Sequence, residues 1–445
     1  MIVPGDAGYD DARAVWNGAI DRRPFVIARV AGSADIIAAL QFARNERLVV
    51  AVRGGGHNVA GFATCDDGIV IDLSALKGIR VDPAARTARA QGGVLWGELD
   101  HETQAFGLAT TGGVVSTTGI GGLTLGGGIG WLMRKHGITA DNLISADLVT
   151  ADGELITASE QDNPELLWGL RGGGGNFGVV TSFEYRLHPV GPIVYGGVIF
   201  HPVARAPELL RFYREWSNDL PDELTTMAVF MAAPPEPFVP AEMHGVQMIG
   251  IACCFLGSEA DGAVAIKPLR DFGEPVTDVI GLLPYKSLQG MFDAIAPRGI
   301  NAYWKTHYLP DITDAALDTL VEQVAALARL YPLSAVHLHH LEGAVRRRTS
   351  ADGAFSHRSP RFVLNLIGQW ADKNAADTHI SWVRGMWDAM RPHTAGQPYL
   401  NFLGDEGRAQ TRAAYGRTTF DRLSGLKRKY DPANVFRLNQ NIPPS

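Results

Sequence analysis

Cysteine is scarce in this chain: Cys65, Cys253 and Cys254 are the only three in 445 residues, and two of them are adjacent. Three thiols cannot build a disulfide framework, so a reducing compartment, the cytoplasm, is expected. Each cysteine reads as a small buried hydrophobe without a redox role. CxxC and HExxH spacings are absent, so no metal is expected. The net charge is −7 and no long basic run interrupts it, which argues against nucleic acid as a partner. The one arginine triplet, Arg346-Arg347-Arg348, reads as a solvated loop face. Met1 to Pro24 has no apolar h-region, so no secretory signal is expected. Charge itself is missing from Thr103 to Met133, a stretch that holds ten glycines. Glycine costs about 1 kcal/mol per residue in a helix interior, so this stretch cannot supply a spanning helix and no membrane partner is expected. It reads instead as buried loops wrapped round a ligand. Fixed-period repeats and low-complexity tracts are absent too, and nothing in the sequence sets an oligomeric state.

What is present points to an α+β protein of more than one domain, since 445 residues exceed one simple core. Short strands and helices alternate first. A helix is expected over Ala34–Asn45, strands over Leu48–Val52 and Gly68–Leu73, and a hairpin from Ile79–Val81 and Thr87–Gln91. Val94–Phe106 reads as a helix. Asp152-Gly153, between Ala146–Thr150 and Glu154–Ala158, signals a second hairpin. Asn163-Pro164 opens a helix to Leu170, and Val179–Leu187 reads as a strand. Character changes near Pro189–Pro192, where the glycine runs stop. Leu317, Leu320, Val321, Val324 and Leu327 then form one apolar stripe on a helix over Asp311–Leu330. Phe362–Trp370 reads as a strand, Thr378–Met390 as a helix and Ala232–Ala241 as a surface loop. The tail carries a single helix over Ala409–Tyr430, stopped at Asp431-Pro432.

Chemistry enters at Arg53-Gly54-Gly55-Gly56-His57-Asn58, directly after the strand Leu48–Val52. Three glycines after a strand let successive backbone N–H groups converge on an anion without Cβ interference. A histidine at the end of such a nest lies beside whatever carries the anion. Together these residues suggest a flavin, its diphosphate in the loop and its ring beside His57.

Further motifs follow in one order. They are Gly121-Gly122 with Gly126-Gly127-Gly128-Ile129-Gly130, then Gly137-Ile138-Thr139-Ala140-Asp141-Asn142, then Glu165 to Gly172 and Asn176-Phe177-Gly178-Val179-Val180. The end supplies Tyr399-Leu400-Asn401-Phe402 and Lys429 to Phe436. With Arg53–Asn58, this set resembles the berberine bridge enzyme-like branch of the vanillyl-alcohol oxidase (PCMH-type) FAD flavoproteins, densely over residues 1–190 and 396–445 and loosely between. The resemblance implies a two-domain PCMH-type FAD-binding fold. Residues 1–190 and the returning segment 396–445 would form the FAD domain, and 191–395 an antiparallel-sheet substrate domain. It implies FAD contacts at Arg53, Gly54, Gly55, Gly56, His57, Asn58, Gly61, Thr117, Thr118, Gly121, Gly122, Gly128, Gly130, Asn142, Gly178, Val180, Tyr399, Asn401 and Asn439, with Asn441 a further tail candidate. It also implies a covalent bond from His57 to the flavin 8α-methyl group; a neutral ring nitrogen is a competent nucleophile.

Two departures matter. Where many members of that family carry a second, cysteinyl flavin link in a Gly-Val-Cys-Pro-Thr context, this chain reads Gly113-Val114-Val115-Ser116-Thr117-Thr118. Val115 offers no thiolate, so no second link is expected. The histidine that follows the Gly-Gly pair in doubly linked members is Leu123 here. In relatives, the third residue after the linking cysteine controls O2 access. Thr118 holds that place and, with a valine-like shape, leaves it open.

The expected function is that of an FAD-dependent oxidase. It would remove a hydride from an alcohol or amine carbon of a small ring-bearing metabolite and pass electrons to O2, giving H2O2. A dehydrogenase of the same fold and a binding protein without turnover are the alternatives. Tyr399 is the first candidate base; a phenol with a pKa near 10 must be lowered or paired to serve. His339 is the second, with His340 beside it. Strand alternation puts His337 and His339 on one face and His340 on the other. Tyr303-Trp304-Lys305-Thr306-His307, with Trp370 opposite, is expected to line the substrate side.

Overall fold

The computed structural model describes residues 1–330 and 333–445. The first part of the chain builds two small sheets. Strands Val26–Arg29, Ile69–Asp72 and Val50–Arg53 lie parallel, with Ile69–Asp72 in the middle, and the helix Ser33–Asn45 makes the crossover. Ile69 to Asp72 is buried throughout, as a central parallel strand requires. A five-stranded antiparallel sheet follows in the order Ile79–Asp82, Thr87–Gln91, Val179–Arg186, Leu143–Val149, Leu155–Ala158. Both expected hairpins are in it, and the helix Pro164–Leu170 starts at its proline as anticipated.

The middle of the chain forms an antiparallel sheet of eight strands. Its main path runs Thr277–Asp278, Ile193–Pro202, Gln247–Phe255, Leu224–Ala232, Ala335–His340, Phe362–Trp370, Asn301–Leu309, and Gly281–Pro284 also pairs with Ile193–Pro202. The two faces divide by alternation. Val336, Leu338, Leu364 and Leu366 pack with the helices Ala206–Trp216, Glu259–Arg270, Asp314–Leu330 and Ala376–Met390. Ala335 and Ile367, offset by one residue, point to the other face with Met227 and Val229. On the Asp314–Leu330 stripe, Leu317, Leu320 and Val324 are buried as expected, while the Leu327 side chain lies outside the described residues.

The tail departs from expectation. Instead of one helix over Ala409–Tyr430 there are two, Gly407–Tyr415 and Arg417–Tyr430, broken at Gly416. Gly416 has φ 73°, a left-handed conformation that ends one helix and turns the chain into the next. Tyr415, Phe420, Leu423 and Leu426 then bury themselves in the core that holds Leu166, Phe177 and Phe183, so the tail returns to the first part of the chain. Lys427, fully buried, fastens it: Nζ donates to Asn176 O at 2.8 Å, Phe436 O at 2.8 Å and Asp431 Oδ2 at 2.7 Å. Among the described residues no helix is long and apolar enough to cross a membrane. Cys65, Cys253 and Cys254 are free and buried, with Cys253 and Cys254 in the core strand Gln247–Phe255.

Candidate active site

One cavity of about 310 Å³ runs between the glycine loops of the first part, the inner face of the eight-stranded sheet and the tail. That is the scale of a small-molecule site. Gly54 to Asn58 form one wall, Gly113 to Val115 and Thr118 to Gly126 a second, and Gly174, Gly175, Gly178 and Val180 a third. Trp304, His337, His339, Asn365 and Ile367 come from the sheet, and Tyr399 to Phe402 with Phe436, Leu438, Asn439 and Gln440 from the tail. The uncharged stretch from Thr103 to Met133 therefore wraps a cavity as expected, with one short helix, Ile120–Leu125, inside it.

Backbone meets backbone where the first two walls join. A Cβ on Gly55 would stand 2.4 Å from Gly119 N, so only glycine permits the contact. Gly56 follows with φ 68°, turning the chain so that His57 enters the cavity. There the imidazole stacks on Trp16 with ring centroids 4.4 Å apart and planes 19° from parallel. Trp16 is fixed at both ends, its backbone N–H donating to Gly56 O at 3.0 Å and its Nε1 to Ala296 O at 2.9 Å. Burial pushes the His57 pKa down to about 4, so the ring is neutral near pH 7. Its Nε2 is buried and has no hydrogen-bond partner among the described residues.

Across the cavity, the Tyr399 hydroxyl accepts N–H bonds from Gly128 and from Asn401 Nδ2, each 3.0 Å. Burial nevertheless pushes this phenol up to about 12; the Asn401, Gly128 and Ile129 donors offset only part of it. The phenol is not lowered in the way a base would need. Phe402 packs edge-on to Tyr399 at 4.8 Å and tilts against His339 at 5.7 Å, joining the two candidates through one ring. His337 and His339 face the cavity and are held neutral by burial, His337 near 4 and His339 well below the ordinary 6.5. Both Nε2 atoms are buried without a partner among the described residues.

Several expected residues stand elsewhere. His340 turns to the helix side, where Nε2 lies 2.7 Å from Glu342 Oε2. From Tyr303 to His307, Trp304 lines the cavity. Lys305 pairs with Glu406 at 2.6 Å on the other face, and His307 stacks on Trp387. Trp370 belongs to the strand beside Trp304 and stacks on His379, so it does not oppose Trp304 across the cavity. Arg53 forms a buried ion pair with Asp72 at 2.8 Å, its Nη1 buried without a partner among the described residues, and it stays outside the cavity lining. Asn142 donates to His136 O and Ile138 O and meets His188 Nε2 at 2.7 Å, a loop brace outside the cavity lining. Thr117 is exposed, Gly61 packs against Ile20, and Gly128 and Gly130 support the wall from behind, so none of the four lines the cavity. Asn441 lies outside the lining as well. Gly54, Gly55, Gly56, His57, Asn58, Thr118, Gly121, Gly122, Gly178, Val180, Tyr399, Asn401 and Asn439 are brought together there. Trp16, Gly174 and Gly175 were not picked out beforehand. The two glycines lie between two of the motifs, Glu165 to Gly172 and Asn176 to Val180, but Trp16 is near none.

These residues fit a flavin dinucleotide. On the cavity wall, His57 Nε2 and Asn439 Oδ1 are buried polar atoms without partners among the described residues. Gly122 and Gly175 face open space, where an added Cβ would meet nothing within 4 Å. Val115 and Leu123 line the cavity where a cysteine and a histidine stand in doubly linked relatives.

Comparison with known proteins agrees with this geometry. The FAD binding domain profile matches residues 24–159, and the berberine and berberine-like profile matches residues 398–443. An FAD-linked oxidoreductase of Dictyostelium discoideum is 35% identical over 438 residues, covering 96% of this chain and 91% of that one. (R)-6-hydroxynicotine oxidase of Paenarthrobacter nicotinovorans is 30% identical over 459 residues, covering 100% and 96%. The crystal structure of 6-hydroxy-D-nicotine oxidase from Arthrobacter nicotinovorans superposes with a TM-score of 0.89 at 29% identity, covering 100% of this chain and 97% of that one.

Proposed function

Because this chain belongs to the berberine bridge enzyme-like FAD-linked oxidoreductases, with their PCMH-type fold, we propose that it is an oxidase of a small ring-bearing alcohol or amine. O2 is the final acceptor and H2O2 the product. The observation that carries this reading is the shared cavity: His57 Nε2 at the end of the glycine nest, the Tyr399 hydroxyl and the neutral His339 imidazole face one space. Residues 1–190 and 396–445 are taken as the FAD domain and 191–395 as the substrate domain. Bound FAD supplies hydride acceptance. Gly54, Gly55 and Gly56 would hold its diphosphate by backbone N–H groups, and His57 would carry it covalently. Val115 leaves that link single.

The chain's own work is to position the substrate and take a proton. Tyr399, kept protonated by burial, holds a hydroxyl beside Asn401 and Gly128 and orients the substrate's polar atom. His339 is neutral with a free nitrogen, so the proton goes there more readily than to the phenol. Burial thus reverses the order in which the sequence ranks the two. Thr118 lines the cavity, at the position that controls O2 access in relatives, and is no bulkier than valine. Its buried free thiols suit the cytoplasm. The test is an anaerobic screen of alcohols and amines followed by admission of air. Bleaching of the flavin and its prompt return are expected. Bleaching without prompt return assigns a dehydrogenase, and no bleaching by any compound removes the enzyme reading.

A further inference from the structure

Among the described residues, no Asp, Glu, Lys or Arg side chain lines the cavity. The nearby charges are spent on one another or on backbone. Lys305 pairs with Glu406, and Asp293 accepts from Ser116 N at 2.8 Å and Ser116 Oγ at 2.5 Å. What the substrate side offers is aromatic surface from Trp304, Phe402 and Phe292, with a polar cluster set into it. His337 and Asn365 are register partners on adjacent strands, and His339 lies two residues along from His337, its ring centroid 5.8 Å away. All three are nine-tenths or more buried. Among the described residues, His337 Nε2, His339 Nε2 and Asn365 Oδ1 have no partner.

Buried polar atoms without partners are costly, so this cluster is built for a ligand that brings hydrogen bonds. A buried charge without a counter-ion costs far more, and the wall supplies none of either sign. We infer that the substrate is an uncharged aromatic compound with a hydroxyl group, recognised through His337, His339 and Asn365 and not through any ion pair. This rests on the oxidase site proposed above and narrows its substrate from alcohol or amine to a neutral hydroxylated ring. A protonated amine finds no carboxylate here, and a carboxylate finds no guanidinium or ammonium.

Three isosteric probes separate charge from shape: 4-hydroxybenzamide, 4-hydroxybenzoate and 4-hydroxybenzamidine, titrated into the flavin-loaded protein at pH 7 and followed by the flavin absorbance. No turnover is needed, so failure here is distinct from failure of the oxidase reading, which air reoxidation tests separately. The amide is expected to bind at least about tenfold tighter than either ion, a modest share of the cost of an unpaired charge. Benzamide, lacking the hydroxyl, should bind more weakly than 4-hydroxybenzamide, and His339→Gln and His337→Asn should remove that difference while retaining the flavin band. An ion bound as tightly as the amide, or no binding by the amide, overturns the inference.

Discussion

Trp16 and His57 are stacked 4.4 Å apart, although their rings come from an N-terminal loop and a glycine nest about which each is silent. The stack sets the imidazole plane. The Trp16 Nε1 bond to Ala296, 280 residues away, fixes that plane against the substrate-side loops. This gives His57 one orientation in the cavity before any cofactor arrives, and preorganisation of that kind favours a single bond-forming geometry.

A single covalent flavin link at His57 is the first expected outcome. Acid-denatured protein should stay yellow, and digestion should release one flavin-bearing peptide, containing His57. His57→Ala should bind FAD only reversibly. Trp16→Leu, which removes the stack and keeps the bulk apolar, should slow flavin attachment in the purified apoprotein. A second modified peptide, or a flavin that washes out of the wild type, contradicts the assignment.

Proton removal gives a pH signature. With burial holding the His339 pKa well below the ordinary 6.5, the ring is neutral above that value and the anaerobic flavin-reduction rate should be flat between about pH 7 and 9. A Tyr399 phenolate base, with its pKa near 12, would instead raise the rate about tenfold per pH unit there. His339→Gln should lower the rate by about 10²–10⁴-fold. Tyr399→Phe leaves the Gly128 and Asn401 donors unpaired and should weaken substrate binding as well as slow reduction.

Oxygen access is tested at Thr118. Photoreduced wild-type protein mixed with aerated buffer should recover its flavin band rapidly, and Thr118→Leu should recover slowly because the larger side chain fills the cavity wall. Equal and slow recovery in both would move the protein to the dehydrogenases.

Stability should fall with acid. Burial holds His307, His337 and His340 near 4 in the folded chain against an ordinary 6.5. Between about pH 4 and 6.5 the unfolded chain takes up protons that the folded chain refuses, so stability rises with pH through that window and levels off above it. Asp100 acts oppositely: burial raises its carboxyl to about 7 from 3.8, with Gln289 and Lys286 opposing. Its contribution is lost as pH rises from 3.8 through 7. Asp100→Asn should therefore raise the thermal midpoint more at pH 8 than at pH 5, and change it little below about pH 3.8.

What the sequence disclosed and what it hid divide by the range of the interaction. The parity of His337, His339 and His340 is a property of any strand, and it placed two imidazoles in the cavity and one outside. The glycine nest and the turn at Asp152-Gly153 are likewise local. By contrast, whether Trp304 or Trp370 faces the cavity depends on which side of the sheet the helices cover, and no local pattern states that. The Gly416 break was invisible because helical periodicity resumes on both sides of it. Trp16 could not be found at all, since its role depends on a partner loop near Ala296. Asn142 and Arg53 sit in the right motifs, but their side chains brace backbone and pair with Asp72.

Lys427 carries a consequence for how the protein comes into being. Its buried ammonium joins Asn176, Asp431 and Phe436, and the residues just beyond, up to Gln440, close the cavity that the first part of the chain opens. During synthesis the glycine nest emerges hundreds of residues before that closure. The cavity is therefore complete only once synthesis has passed Gln440, and a flavin arriving earlier would meet an open wall.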